Sequence, residues 1–256
     1  MTGCGRITLV LCMLLIVTGC GRKGPLIYPD MMVPAAPAIV SVQQCGSAVK
    51  LQFVLPGKDR GGRSVKGLSG IKISRRVTET DRKDVCRSCM SDYRLFQTLY
   101  LDHLPAAIQR FGSQLILFDG DVASGNSYSY SLIPFTEEGA DGASHTTVDV
   151  RVVAPLPAPA LKIESLPTEI RLLITMQSLV SNQLLGYNLY RSTGGAQRSY
   201  QPLNPELVQG SEYIDSGLDR RTKYRYSARA LIKMESGNIV ESAESFEVEG
   251  MLKDDE

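Results

Sequence analysis

The chain has 256 residues, with 28 basic and 27 acidic side chains for a formal net charge of +1, no tryptophan and two histidines. That balance, with no Arg/Lys run interleaved with aromatics, weighs against a nucleic-acid partner. Scarce histidine weighs against a histidine general acid/base, and absent indole against a common sugar-stacking platform. In chain order the first element is apolar: Arg6 precedes an 11-residue run, Ile7–Val17, and small residues lead to Cys20. A positive start, a short apolar stretch and a small-residue end are the layout of an export signal, and the run is far short of the about 20 residues that cross a bilayer.

Leu15-Ile-Val-Thr-Gly-Cys20, followed by Gly21, resembles a bacterial lipoprotein signal. The resemblance implies cleavage of residues 1–19 before Cys20 and acyl chains on its sulfur and new amino group, which would anchor the protein in membrane lipid. No other cofactor is implied. Gly21 in place of Asp implies sorting to the outer membrane, with the protein facing the periplasm. Removing residues 1–19 takes away Arg6 alone, so acidic and basic side chains then balance. Residues 20–36 contain Pro25, Pro29 and Pro34 and read as an extended tether reaching at most roughly 50 Å from the membrane, at about 3.1 Å per residue. Within it, Cys20-Gly-Arg-Lys23-Gly24-Pro25-Leu26-Ile-Tyr-Pro29 resembles the start of the small lipopolysaccharide-translocon assembly lipoproteins. That resemblance implies a role for Lys23, Gly24, Pro25 and Leu26 at the lipid-embedded edge of the translocon and in its disulfide maturation. The alternative for the same residues is a plain tether.

After the tether the apolar residues alternate. Val49, Leu51 and Phe53 do so, as do Ile71 and Ile73, then Tyr128, Tyr130 and Leu132, then Val148, Val150 and Val152. Beyond Pro155-Leu-Pro-Ala-Pro159, a second linker, the scheme returns with Ile170, Leu172 and Ile174, Tyr187 and Leu189, Tyr224, Tyr226 and Ala228, then Phe246 and Val248. Period-two alternation between Gly, Ser, Asn and Pro clusters predicts half-buried antiparallel strands.

The halves also match one another. Leu68-Ser-Gly70-Ile-Lys-Ile-Ser-Arg75 corresponds to Leu184-Leu-Gly186-Tyr-Asn-Leu-Tyr-Arg191, Tyr93 and Phe96 to Tyr200 and Leu203, Asp119 to Asp215, and Tyr128 with Tyr130 to Tyr224 with Tyr226. Leu218-Asp-Arg-Arg-Thr-Lys-Tyr224-Arg-Tyr226 and Gly186–Arg191 resemble the fibronectin type III family. The resemblance implies an all-β chain of two tandem immunoglobulin-like/fibronectin type III sandwiches. It also implies structural corner tyrosines at Tyr128 and Tyr224, whose hydroxyls bond to nearby backbone. Boundaries follow at 37–154, 155–251 and an acidic tail at 252–256, with the second sandwich expected to fold alone. Pro134 stands where the repeat has Ala230, so its strand should end or bulge near Ile133.

The first half carries two insertions. Arg75 to Tyr93 is 18 positions against 9 from Arg191 to Tyr200, and Phe96 to Asp119 is 23 against 12 from Leu203 to Asp215. The first holds Cys86-Arg-Ser-Cys89, and in an oxidising compartment a local disulfide between Cys86 and Cys89 is the leading expectation. Pairing of either with Cys45, or free thiols, stays open. The second contributes Leu99, Tyr100, Leu104 and Ile108, which have no obvious counterpart and form a candidate partner surface. The motifs of hydrolase elbows, phosphate loops and zinc helices are absent from the sequence. No catalytic or metal-binding residue is therefore assigned, and no small-molecule substrate. The expectation is a non-enzymatic binding or scaffolding module for an unidentified envelope protein, with translocon assembly through Lys23–Leu26 as the alternative.

Overall fold

The computed structural model describes residues 28–79, 90–177 and 183–254. In the first half the strands are β1 (Ala38–Cys45), β2 (Ala48–Val54), β3 (Leu68–Thr78), β4 (Arg94–Tyr100), β5 (Gln109–Phe111), β6 (Gln114–Asp119), β7 (Ser127–Thr136), β8 (His145–Thr146) and β9 (Val150–Arg151). In the second half they are β10 (Ala160–Ser165), β11 (Glu169–Thr175), β12 (Gln183–Thr193), β13 (Glu212–Ser216), β14 (Tyr224–Lys233), β15 (Ile239–Glu241) and β16 (Val248–Gly250). Each half is an all-β sandwich of two facing sheets. In the first, β1-β2-β6-β5 face β4-β3-β7, to which β8 and β9 add; in the second, β10-β11-β13 face β12-β14, to which β15 and β16 add.

Alternation explains the cores. Val49, Leu51 and Phe53 of β2 are fully buried against Ile71, Ile73, Tyr130 and Leu132, while Ile170, Leu172 and Ile174 of β11 pack against Leu189, Tyr226 and Ala228. Burying one such side chain contributes roughly 1.5–3 kcal/mol. Two expected strands are shorter than their pattern: β9 covers only Val150–Arg151, leaving Val148 exposed, and Phe246 lies outside β16 and is 95% exposed. The intervening segment attaches to β14 through both backbone and side chains: Ser242 N donates to Ala230 O and Ser245 N to Ala228 O, at 2.9 Å each. Ser242 and Ser245 accept hydrogen bonds through their hydroxyls from the amides of Ala230 and Ala228, at 2.9 Å each.

Pro134 does not end its strand. β7 runs through it to Thr136, and the register shift lies between Leu68 and Gly70 on the facing β3. The Pro134 carbonyl accepts from Gly142 N at 2.7 Å. In an extended residue the nitrogen points the same way, so the missing N–H faces that segment and not the β3 ladder.

Three segments at the expected boundaries are held by the fold. Residues 31–35 are not a free tether: Gly61 N donates to Met31 O, Arg60 N to Val33 O, Ala35 N to Lys58 O and Ala143 N to Pro34 O, at 2.9–3.0 Å. The Pro155 linker is pinned, because Gln44 exchanges hydrogen bonds with the backbone of Val153 at 2.8 and 2.9 Å and Ala243 N donates to Leu156 O. Leu252, read as the start of an acidic tail, belongs to the second core at 7% exposure.

The two sandwiches are not separate beads. Cys45 at the end of β1 pairs in parallel with Glu241 of β15, joining one sheet of each sandwich into a continuous eight-stranded sheet.

Candidate functional site

The matched residues of the two halves build the same polar unit twice. Arg75 of β3 reaches Asp119 at 2.9 Å, and the Tyr130 hydroxyl donates to that carboxylate at 2.8 Å. Arg191 of β12 reaches Asp215 at 2.8 Å, and the Tyr226 hydroxyl donates to it at 2.7 Å. The corner tyrosines sit beside these pairs. Tyr128 OH accepts from Ala123 N at 2.7 Å and Tyr224 OH from Asp219 N at 2.8 Å, and each ring lies under the guanidinium of its own Arg75 or Arg191, at 5.8 and 5.5 Å. Burial, then the neighbouring aspartate, raises the phenols of Tyr130 and Tyr226 well above their ordinary range. These groups are neutral hydrogen-bond donors in the folded protein and supply no general base.

The seam between the sandwiches concentrates the remaining buried charge. Glu241 is 1% exposed and receives Lys50 Nζ at 2.5 Å, the Cys45 thiol at 2.9 Å and Asn188 Nδ2 at 3.4 Å, while Gly46 N donates to its carbonyl at 2.9 Å. A carboxylate removed from water must find such partners or its desolvation is prohibitive. Nearby, Glu244 holds both Arg198 and Arg229, the latter at 3.0 Å. On the far side Gln109 of β5 donates to Arg198 O at 2.5 Å and accepts from Tyr200 N at 2.6 Å, and the rings of Phe118 and Tyr200 meet edge to face at 4.8 Å.

A cleft of about 540 Å³ opens along this seam, lined by Cys45, Phe118, Arg198, Tyr200 and Arg229 among others. Its one sulfur nucleophile is inert as a thiolate source: burial, then the charge of Glu241, pushes the Cys45 thiol up to about 12. Its arginines already carry Glu244. Among the described residues no group of His, Cys, Asp and Glu is arranged to hold a metal ion, and no helix is long and apolar enough to cross a membrane.

Of the residues singled out from sequence, Cys20, Lys23, Gly24, Pro25, Leu26, Cys86 and Cys89 lie outside the described residues. The second insertion is described, and it corrects the surface reading. Leu99 is fully buried, Ile108 is 8% exposed, and Leu104 packs against the first core. Period two explains it: on β4 Leu99 points into the sandwich, so Tyr100 points out, 53% exposed beside Phe135 at 5.5 Å. Leu95 is 66% exposed on the same strand, which is an edge of its sheet. The rest of the insertion faces the partner sandwich, since Ala106 O accepts from Gln197 and Gln109 holds residues 198–200. The sequence offered no sign of Glu241, Gln109 or Glu244, which stand singly among polar residues with neither period nor motif.

No protein-family model matches the chain, and no curated protein matches its sequence. Among solved structures, the FN1–FN3 domains of chicken CNTN1 are 13% identical over 87% of this chain and 68% of that one, with a TM-score of 0.32.

Proposed function

We propose that the protein is a lipoprotein of the outer membrane, acylated on Cys20 and facing the periplasm, whose two sandwiches act as one non-enzymatic scaffold for another envelope protein. The observation that carries this reading is the seam. The buried Glu241–Lys50 pair and the continuous sheet fix the sandwiches relative to each other, which suits presentation of a surface better than turnover of a substrate. The Arg6–Cys20 pattern supports the anchor. The partner surface is the exposed edge of β4, with Leu95 and Tyr100 as its apolar anchors.

A photocrosslinking side chain at position 100 in the envelope is expected to capture a discrete protein that the same probe on the second sandwich, at position 173, does not. Cys20→Ala is expected to abolish acyl labelling. Equal labelling of wild type and variant overturns the anchor, and identical capture from both positions overturns the surface. The alternative reading, translocon assembly through Lys23–Leu26, is supported by the resemblance of residues 20–29. Rescue of a deletion phenotype by residues 20–36 alone selects it.

A further inference from the structure

Residues 28–35 present a formed surface at one pole of the first sandwich. A 3-10 turn, Pro29–Met31, is closed by Met31 N to Tyr28 O at 2.9 Å and Met32 N to Pro29 O at 3.0 Å. It leaves Tyr28, Met31 and Met32 exposed at 57%, 39% and 59%. The backbone bonds from Arg60, Gly61, Lys58 and Ala143 hold the segment in place. Gly142 makes that docking possible, because a Cβ there would stand 2.6 Å from Pro34 O. Three apolar side chains are thus fixed outward by the fold where burying them would have been favourable.

Chain length says what lies next to them. Tyr28 is eight residues from Cys20. At a maximum of about 3.6 Å per residue the pole cannot be farther than roughly 29 Å from the attachment point, half the reach of a tether running to residue 36. We propose that this pole rests on the lipid surface in which Cys20 is anchored, with Tyr28, Met31 and Met32 in the interfacial layer. The inference rests on the acylation of Cys20 proposed above. Tyrosine, with an apolar ring and a polar tip, suits the headgroup region, and methionine suits the acyl boundary.

Charge at the pole decides the kind of contact. Arg63 is taken by Asp59 at 2.8 Å. Lys66 shares its groove with Glu137 and Glu138, and Asp30 lies in the turn beside Lys58 and Arg60, whose backbones hold the segment. The contact is therefore apolar rather than a polybasic attraction to anionic lipid, and raised salt should leave it intact.

The chain has no tryptophan, so Met32→Trp introduces a single indole reporter. The acylated full chain carrying it is reconstituted in vesicles of phosphatidylethanolamine and phosphatidylglycerol with brominated acyl chains, with Phe246→Trp on the second sandwich as comparison. Trp emission at position 32 is expected to shift to the blue and be quenched, at low and high salt alike, with neither change at 246. An intact mass confirming acylation, together with unquenched emission at 32, overturns this inference and leaves the anchor standing. Equal quenching at both positions, or quenching lost in salt, also overturns it. An intact mass without acyl chains overturns the anchor itself.

Discussion

The two sandwiches share their centres and differ at their edges. Both place an arginine, an aspartate and a tyrosine in one hydrogen-bonded unit with a corner tyrosine ring beside it, and both shift the register of their central strand pair at matched glycines. The register shifts fall between Leu68 and Gly70 and between Leu184 and Gly186. A Cβ at Gly70 would stand 2.2 Å from Leu99 O, and one at Gly186 2.8 Å from Val208 O, so each glycine admits the chain that crosses beside it. What crosses is different. In the first sandwich it is β4, a regular strand; in the second it is an irregular segment held by Asn204, which accepts from Leu189 N at 2.7 Å and donates to Tyr187 O at 3.1 Å. There the Asn204 amide works with backbone bonds from Leu203 N to Leu189 O and between Tyr187 and Val208, where the other half uses a strand, and the first half's extra residues become the clasp on its neighbour.

The sharpest way to break the comparison is at the seam, which belongs to neither half alone. Glu241→Ala leaves the buried Lys50 without its carboxylate, and removing one partner of a buried pair costs about 3–5 kcal/mol. Denaturant unfolding should split into two transitions as the sandwiches uncouple. Lys50→Met with Glu241→Met should lose far less, because no charge is left buried; a double variant as damaged as the single one counts against the pair as the source of the loss.

Next come the paired phenols. Tyr130→Phe and Tyr226→Phe each remove a hydrogen bond to a carboxylate, worth about 1.5–3 kcal/mol, and should agree within error if the two units are equivalent. Their pH dependence has a defined sign. A phenol whose folded pKa is raised stabilises the fold fully below its unfolded value of 10.0, and that contribution is lost as pH rises beyond it. Wild-type stability should fall above that pH. Each Phe variant should flatten the fall by up to about 1.4 kcal/mol per pH unit, read by denaturant midpoints across alkaline buffers.

Gln109→Ala, which breaks the clasp of the second insertion, should cost about 1–2 kcal/mol and make the second sandwich melt earlier, with the first unaffected. Simultaneous loss in both sandwiches would show that the clasp also supports the first core. The smallest effect is expected at the corners: Tyr128→Phe and Tyr224→Phe should each cost about 1 kcal/mol, measured by thermal melts.

The strands and their inward residues were legible because alternation is a local signal that burial imposes directly, as in β2 and β11. The repeat was legible for the same reason, since Arg75, Asp119, Tyr128 and Tyr130 recur at matched positions in a unit that each core needs. Leu99 and Ile108 misled because an apolar residue in an insertion has the composition of a surface anchor. Only the phase of β4, fixed by pairing with β3, turns Leu99 inward. The seam left no trace at all. It depends on one parallel register, Cys45 with Glu241, between residues 196 positions apart, and on polar side chains whose partners are chosen by geometry.

That parallel register has a consequence for self-association. An unpaired strand edge is a template on which another chain can add, and β1 would present one along its whole length if the first sandwich stood alone. The second sandwich covers its end at Cys45. Its beginning is blunted differently, by a bulge between Ala38 and Ser41 where Ile39 adopts a φ of 48°, a conformation costly for a β-branched residue and hostile to continued pairing. In a chain synthesised from its N-terminus, the Cys45 end waits for Glu241, and during that interval the twisted start of β1, with Gln44 held by Val153 of the same half, guards it against sticking to a sister copy.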